Sequence, residues 1–158
     1  MIDENGYRLN VGIIVANEFG KLLWAQRRFG GNGWQFPQGG IKDGESTLDA
    51  MYRELDEELG LKPESVSVIA ESQSWYSYKL PEQYLRKELP VCIGQRQRWF
   101  LLKLNAADDS ICLSANANPE FKDWRWVSYW EPVAGVIAFK RQVYRDVLTD
   151  FESYMNEG

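Results

Sequence analysis

The sequence predicts an α/β fold in which a mixed β-sheet is sandwiched between helices. Strand-like segments lie on both sides of an amphipathic helix in the middle of the chain, and a second long helix follows near its end. The 158 residues contain no linker, repeat or low-complexity tract. We therefore expect residues 1–158 to form one domain with its own buried core.

The first third of the chain reads as strands. Residues 7–16 are β-branched toward their end, and a turn at 17–20 leads into a returning strand at 21–26. A glycine-rich loop, 27–33, precedes a short strand at 34–36. These strands lead directly into the most informative part of the sequence, residues 39–61.

The stretch 39–61 is predicted to be a loop, a helix and a stop. Ser46 precedes an apolar-periodic run and has Asp49 three residues later, which resembles a capping box. Gly60 follows the run as a C-terminal stop, so the helix is predicted over 47–59. Three glycines in the preceding loop are interpreted as turn residues: Gly39, Gly40 and Gly44.

Three glutamates lie together on one side of this helix. On a helical wheel, Glu54, Glu57 and Glu58 fall roughly opposite the apolar face. Like charges three and four residues apart repel by about 0.2–0.5 kcal/mol per pair. A hard divalent cation such as Mg²⁺ converts that repulsion into ligation, whereas the alternative is a solvated acidic face. The predicted apolar face consists of Leu48, Met51, Tyr52, Leu55 and Leu59.

The rest of the chain continues the alternation of strands and loops. We predict one or two strands at 65–78, an exposed loop at 81–90, a strand at 96–104, a loop at 105–117, a short strand at 124–127 and a long helix at 139–155.

Composition excludes several classes of function. The chain has no histidine, so imidazole zinc sites, His-based triads and histidine general bases are excluded. Cys92 and Cys112 form neither a disulfide framework nor a metal-site spacing. A net charge of −5 argues against nonspecific coating of nucleic acid. No membrane span or signal peptide is predicted, and a cytoplasmic location is expected.

The complete spacing around the glutamates is far more specific than the glutamates alone. Gly39, Glu45, Arg53-Glu54, Glu57-Glu58 and Gly60 fill every fixed position of the Nudix box, with aliphatic residues at 55 and 61. The sequence therefore resembles a Nudix hydrolase, which implies an α/β/α sandwich. The flanking segments 34–41, 118–121 and 124–127, with 6–12 near the start, resemble the bacterial RNA pyrophosphohydrolase family, also described as diadenosine polyphosphate hydrolases.

The resemblance implies roles for the residues of the box. Glu54, Glu57 and Glu58 are the expected metal ligands, joined by Gly39 and by Glu120 from a distant loop. Glu54 and Glu57 are both candidates for the general base. Arg53 is expected to orient the glutamates by salt bridges, and Glu45 to hold the loop. Mg²⁺ is the expected cofactor, with Mn²⁺ or another divalent cation as the alternative.

Substrate contacts are predicted from residue type and from the resemblance. Arginine and lysine supply most phosphate contacts, which makes candidates of Arg8, Arg27, Arg28, Lys79 and Lys140, although each is also an ordinary surface charge. By resemblance Phe139 stacks a base near the RNA 5′ end, and Arg8 and Ile137 help to form its pocket. Core packing is the alternative for Phe139. The loop 27–33 is one residue longer than in familiar relatives and lacks a histidine that some of them have.

The resemblance leads to three readings of function. The first is a Mg²⁺-dependent enzyme that removes pyrophosphate, or phosphates stepwise, from triphosphorylated or diphosphorylated RNA 5′ ends, which starts mRNA decay. The second keeps the chemistry but acts on dinucleoside polyphosphates. The third is a catalytically silent RNA-binding module, against which the intact Arg53 and glutamates argue. Oligomeric state and any regulatory protein partner stay open.

Overall fold

A computed structural model describes residues 1–31, 33–85 and 92–155. Asn32 of the predicted loop 27–33, and residues 86–90 of the predicted loop 81–90, lie outside the described residues, as do the last three residues of the predicted domain. Among the described residues, no helix is both long and apolar enough to cross a membrane.

The fold is a mixed β-sheet with helices on both faces. Its strands are β1 (Tyr7–Ala16), β2 (Leu22–Arg27), β3 (Trp34–Gln35), β4 (Gln38–Gly40), β5 (Val66–Glu71), β6 (Tyr76–Lys79), β7 (Gly94–Leu104) and β8 (Phe121–Val127). Its helices are α1 (Thr47–Leu59), α2 (Glu131–Gly135) and α3 (Arg141–Met155).

The long strands β1 and β7 pair in parallel at the centre of the sheet, while the other pairings are antiparallel. The strand order is β3-β2-β1-β7-β5, with β4 paired to β1, β6 to β7 and β8 to β2. The prediction of a mixed sheet is therefore confirmed. The two central strands carry the core, because both of their faces are covered by helices.

Each face of the sheet packs against its own helix. On one face, Met51, Leu55 and Leu59 of α1 pack against residues of β1 that include Val11 and Ile13. On the other face, α3 contributes the buried side chains of Val143, Tyr144, Val147, Leu148 and Phe151. The two apolar clusters make the layered sandwich that was predicted.

The helix α1 has the predicted bounds. Ser46 accepts a hydrogen bond from the Asp49 backbone N–H at 3.0 Å, and Gly60 ends the helix with φ 66°. The predicted apolar face is wrong at one position, since Leu48 is 41% exposed. The three glutamates lie together as predicted, but the alternative of a solvated acidic face is wrong for Glu54, which is only 7% exposed because β4 covers it.

Several element boundaries differ from the sequence prediction. The strand β4 was predicted as loop, and α2, which begins next to Pro132, was not predicted. The strand β8 starts three residues before the predicted 124–127, and β7 starts two residues before 96–104. The predicted helix 139–155 begins with a short 3₁₀ turn, so the α-helix proper starts at Arg141.

Candidate metal and phosphate site

The site begins where strand β4 crosses helix α1. Neither Gly39 nor Gly40 has a positive φ, so their interpretation as turn glycines is wrong. A Cβ at Gly39 would lie 1.9 Å from Cδ of Glu54 and 2.3 Å from both of its carboxylate oxygens. Residue 39 is therefore glycine because the Glu54 carboxylate occupies the space of a side chain.

Arg53 connects the acidic residues of the site. Its Nη1 lies 2.7 Å from Glu54 Oε1 and 3.5 Å from Glu57 Oε2. Its Nε and Nη2 donate to the two Glu45 carboxylate oxygens at 2.8 and 2.9 Å, and Nη2 also donates to the Gly40 carbonyl at 2.7 Å. These are the salt bridges that the resemblance implied. They fix the glutamates relative to β4.

Glu45 holds the turn before α1. Its Oε1 accepts a hydrogen bond from the backbone N–H of Lys42 at 3.0 Å, in addition to the bonds from Arg53. The hydrogen bond from the Arg53 guanidinium lowers the pKa of Glu45 to about 2. Glu45 is therefore an anion that anchors Arg53, and its two oxygens are already occupied.

The remaining acidic groups are poorly compensated. Carboxylate oxygens of Glu54, Glu57 and Glu58 lie within 4.8 Å of one another, and Glu58 Oε2 is buried without a hydrogen-bond partner among the described residues. Burial, followed by the nearby charge of Glu120, raises the pKa of Glu58 to about 8. Burial also raises the pKa of Glu54, although Arg53 opposes this.

This arrangement suits a divalent cation. Oxygen ligands from carboxylates, with room left for water, are the set that hard divalent ions take. A buried carboxylate oxygen without a partner is costly unless a cation or donor satisfies it. The donor set and the glycine cradle at Gly39 therefore fit a divalent metal ion bound by Glu54, Glu57 and Glu58.

Glu120 reaches the same region from the loop before β8. Its negative charge contributes to the raised pKa of both Glu54 and Glu58, so it lies near the glutamate cluster. Its backbone carbonyl accepts a hydrogen bond from Arg28 N–H at 2.9 Å, which ties its loop to the end of β2. The role of Glu120 as a metal ligand stays a prediction.

A cleft of about 390 Å³ is lined in part by Glu120. Six of the residues predicted for the site line it: Arg8, Arg27, Glu120, Ile137, Phe139 and Lys140. Two predicted phosphate contacts do not line it. Arg28 is exposed with its guanidinium 5.0 Å from the Phe29 ring centroid, and Lys79 is exposed on β6.

Lys140 lies at the floor of the cleft. The residue is 7% exposed, and its Nζ contacts Gln35 Oε1 at 3.1 Å and Gln38 Oε1 at 3.4 Å. Burial, with the nearby charge of Arg27, lowers the pKa of Lys140 to about 8. Since Gln38 directly precedes Gly39, this network joins the cleft to the strand that covers Glu54.

Phe139 forms an aromatic wall of the cleft. Its ring is half-buried, with centroids 5.6 Å from Tyr78 and 5.7 Å from Tyr84. Ile137 beside it is 45% exposed. Phe139 therefore packs partly against the protein, as the alternative expected, and also faces the cleft.

Sequence reasoning missed the polar network beneath the cleft. Gln97 is fully buried, and its Nε2 donates to Asn10 Oδ1 at 2.9 Å and to Gln38 Oε1 at 3.2 Å. The available signal was a polar residue within each of the two central strands, because buried amides are rare unless they are hydrogen-bonded. Gln35, Gln38, Tyr84 and Gln95 also line the cleft and were not predicted as site residues.

The comparisons agree with this geometry. The NUDIX domain family matches residues 6–150. A relative from Shewanella pealeana described as "RNA pyrophosphohydrolase" is 58% identical over 152 residues, which cover 96% of this chain and 87% of that protein. A relative from Shewanella frigidimarina with the same description is 57% identical over 154 residues, covering 97% and 89%.

Solved structures resemble the fold at much lower identity. The E. coli dihydroneopterin triphosphate pyrophosphohydrolase has a TM-score of 0.73 at 19% identity and covers 91% of this chain and 98% of its own. A C. elegans Ap4A hydrolase binary complex has a TM-score of 0.64 at 20% identity, with the same coverage. At these identities the likeness is one of fold.

Proposed function

The chain belongs to the NUDIX family, and from that premise we propose that it is a divalent-metal-dependent RNA 5′-pyrophosphohydrolase. The observation that carries the proposal is the 58% identity to an RNA pyrophosphohydrolase across nearly the whole chain. A carboxylate cluster beside a cleft with basic and aromatic walls is compatible with that chemistry. The substrate is an RNA with a triphosphate or diphosphate at its 5′ end, and the product carries a monophosphate.

The cofactor in this proposal is Mg²⁺, held by Glu54, Glu57 and Glu58, with Gly39 and Glu120 as further ligands. Such an ion, when bound, polarises phosphoryl oxygens and lowers the pKa of coordinated water. Arg53 keeps Glu54 in place through its 2.7 Å contact and so preserves the ligand geometry before the ion binds. Mg²⁺ is preferred over softer ions because all of the side-chain donors are carboxylate oxygens.

The reaction is attack of a water oxygen on phosphorus in the 5′ phosphate chain. The new P–O bond forms as the anhydride bond to the departing phosphate group breaks. A carboxylate takes the proton of the attacking water, and Glu54 and Glu57 are the candidates. Glu57 has the more exposed side chain, 40% against 9% for Glu54, and is the more accessible of the two to water.

The cleft supplies the contacts to the substrate. Arg8, Arg27 and Lys140 bring positive charge to its walls and floor, next to the metal site, where they neutralise the phosphate chain. Phe139 and Ile137 supply an apolar wall on which an unpaired base near the 5′ end stacks. RNA is favoured over dinucleoside polyphosphates because the highly identical relatives are described as RNA enzymes.

The test is to incubate the protein with Mg²⁺ and a 5′-triphosphorylated oligonucleotide, and to measure released phosphates and the 5′ end of the product. We expect a monophosphorylated RNA, with turnover exceeding that of diadenosine tetraphosphate under the same conditions. Faster hydrolysis of diadenosine tetraphosphate would refute the RNA assignment. If neither substrate is hydrolysed, the enzyme assignment is wrong and a catalytically silent RNA-binding module becomes the better reading.

Glu120 provides a variant for the same assay. We expect Glu120→Gln to lower turnover about tenfold or more while the fold survives, because the substitution removes one negatively charged ligand of the proposed metal ion. Thermal unfolding controls for the fold. An unchanged rate at saturating Mg²⁺ would remove Glu120 from the site.

A further inference from the structure

A concave surface between helices α2 and α3 lies outside the site described above. Its volume is about 450 Å³, and the residues that line it are Trp130, Val133, Ala134, Arg141 and Arg145, here called the α2–α3 surface. Trp130 is 43% exposed, and both arginines are exposed. The surface therefore leaves one aromatic ring and two guanidinium groups accessible to a ligand.

The two arginines are available for a ligand. Arg141 donates through Nε to the Val136 carbonyl at 3.3 Å, which orients the guanidinium and leaves its two terminal nitrogens for other contacts. Neither Arg141 nor Arg145 forms an ion pair within the parts of the chain that the structure describes. Uncompensated cations stand out on a chain whose net charge is −5.

The acids that flank the α2–α3 surface already have partners. Glu131 forms a salt bridge with Arg125 at 3.3 Å, and Asp146 accepts a hydrogen bond from Gln142 at 2.8 Å. Glu131 is thus paired with a cation outside the surface, and the charged residues that line the surface itself are Arg141 and Arg145. Charge complementarity points to an anionic partner.

Trp130 adds a feature that a simple anion site does not need. Its ring meets Tyr129 at an angle of 79° with centroids 5.1 Å apart, while 43% of the residue stays accessible to solvent. Aromatic rings beside basic side chains bind single-stranded nucleic acid, because every base has a face that stacks. Arginine planes serve the same purpose and also pair with phosphates.

The α2–α3 surface and the cleft are lined by consecutive residues of the chain. Ile137, Phe139 and Lys140 line the cleft, and the next residue, Arg141, lines the α2–α3 surface. The segment 137–141 thus contributes residues to both the cleft and the α2–α3 surface. An RNA whose 5′ end lies in the cleft is therefore held beside residues that adjoin Arg141 in the chain.

We propose that the α2–α3 surface binds the single-stranded RNA that follows the nucleotides held in the cleft. A base stacks on Trp130, and phosphates pair with Arg141 and Arg145. This inference rests on the proposed function and extends the substrate beyond the 5′ end. It makes the enzyme prefer RNAs with a long unpaired 5′ segment over short oligonucleotides.

The test compares a 5′-triphosphorylated trinucleotide with an unstructured RNA of about twenty nucleotides that starts with the same sequence, a length chosen to exceed ordinary site sizes. The variants are Trp130→Ala and Arg145→Gln. Phe19→Ala is the matched control, because Phe19 is 78% exposed in the turn between β1 and β2. Thermal unfolding checks that each variant folds.

We expect Trp130→Ala to raise KM for the long RNA about fivefold or more, and to leave kcat/KM for the trinucleotide within a factor of about two. Arg145→Gln should lower the slope of log KM against log salt by about 0.7 on the long RNA. Phe19→Ala should match the wild type on both substrates.

Other outcomes overturn the inference. If Trp130→Ala and Arg145→Gln have the wild-type KM for the long RNA, the α2–α3 surface does not bind RNA, and a protein partner becomes the alternative. Equal losses on both substrates would indicate damage to the cleft instead of a lost downstream contact. A wild type inactive on both RNAs would refute the proposed function itself, which separates that failure from failure of the surface alone.

Discussion

Substitution of Gly39 by alanine tests how the site is assembled. The new Cβ would lie 1.9 Å from Cδ of Glu54, whereas ordinary contact begins at 3.4 Å, so the carboxylate must move by about 1.5 Å. A misplacement of about 1 Å in a catalytic constellation can cost about 100-fold in rate. We therefore expect Gly39→Ala to lower kcat/KM on triphosphorylated RNA by about 100-fold, or about 2.7 kcal/mol.

The fold should survive this change. Glu54 can rotate away, and an overpacked position typically costs about 1–3 kcal/mol, less than the stability of most domains. The control is Gly40→Ala, because a Cβ there would meet nothing closer than Arg8 Cδ at 4.0 Å. The assays are kcat/KM, Mn²⁺ affinity by electron paramagnetic resonance, and thermal unfolding.

Two results would refute this reasoning. Wild-type activity and Mn²⁺ affinity in Gly39→Ala would mean that the Glu54 position is not needed by the site. Equal losses in Gly39→Ala and Gly40→Ala would mean that β4 requires glycine for its backbone and not for the space beneath it.

Three further predictions follow from the contacts of individual side chains. Arg53→Lys cannot bridge Glu45, Glu54 and the Gly40 carbonyl together, so urea unfolding should show a loss of about 2–3 kcal/mol, and retention of full stability would contradict the network. The pKa of Glu58 is raised to about 8 in the metal-free protein, so its stability contribution is present below pH 4.5 and is lost as the pH rises toward 8. With a chelator present, Glu58→Gln should thus have a higher free energy of unfolding than the wild type at pH 8 and the same value near pH 4.5. Equal stability at pH 8 would show that Glu58 is not an uncompensated buried acid. The pKa of Lys140 is lowered to about 8, so the KM for RNA should rise above pH 8 in the wild type and stay constant in Lys140→Met. If KM depends on pH in the same way in both proteins, the charge of Lys140 does not contribute to substrate binding.

The central helix was predictable because its signals are local. Ser46 with Asp49 fixes its start and Gly60 its end, and all three lie within a few residues of the helix. The acidic cluster was predictable for the same reason, since Glu54, Glu57 and Glu58 are neighbours wherever the segment is helical. No knowledge of the sheet was needed.

The burial of Glu54 and the reason for Gly39 were not predictable from the helix alone. Both depend on β4 pairing with β1, where Gly39 lies opposite Val11, and that contact joins distant parts of the chain. A wheel gives the direction of a side chain but not what the neighbouring layer places above it. Consecutive glycines suggested a turn, while tertiary pairing produced a strand.

The cleft shows the same limit more strongly. Lys140 was predicted as a phosphate contact, but its partners Gln35 and Gln38 lie more than one hundred residues earlier in the chain. Arg28 and Lys79 were chosen by residue type, and the structure places both outside the lining of the cleft. Charge alone identifies candidates, and only the packing of the strands against the segment 137–140 decides which of them line the cleft.

The most direct test of the account is a Mn²⁺ titration of the wild type and of the Glu57→Gln, Glu58→Gln double variant, followed by electron paramagnetic resonance, with hydrolysis of triphosphorylated RNA measured in the same samples. If the glutamates hold the ion that serves the reaction, the wild type binds Mn²⁺ in step with the onset of activity, and the double variant loses both while keeping its fold. A double variant that keeps metal-dependent turnover at the wild-type rate would contradict the central claim.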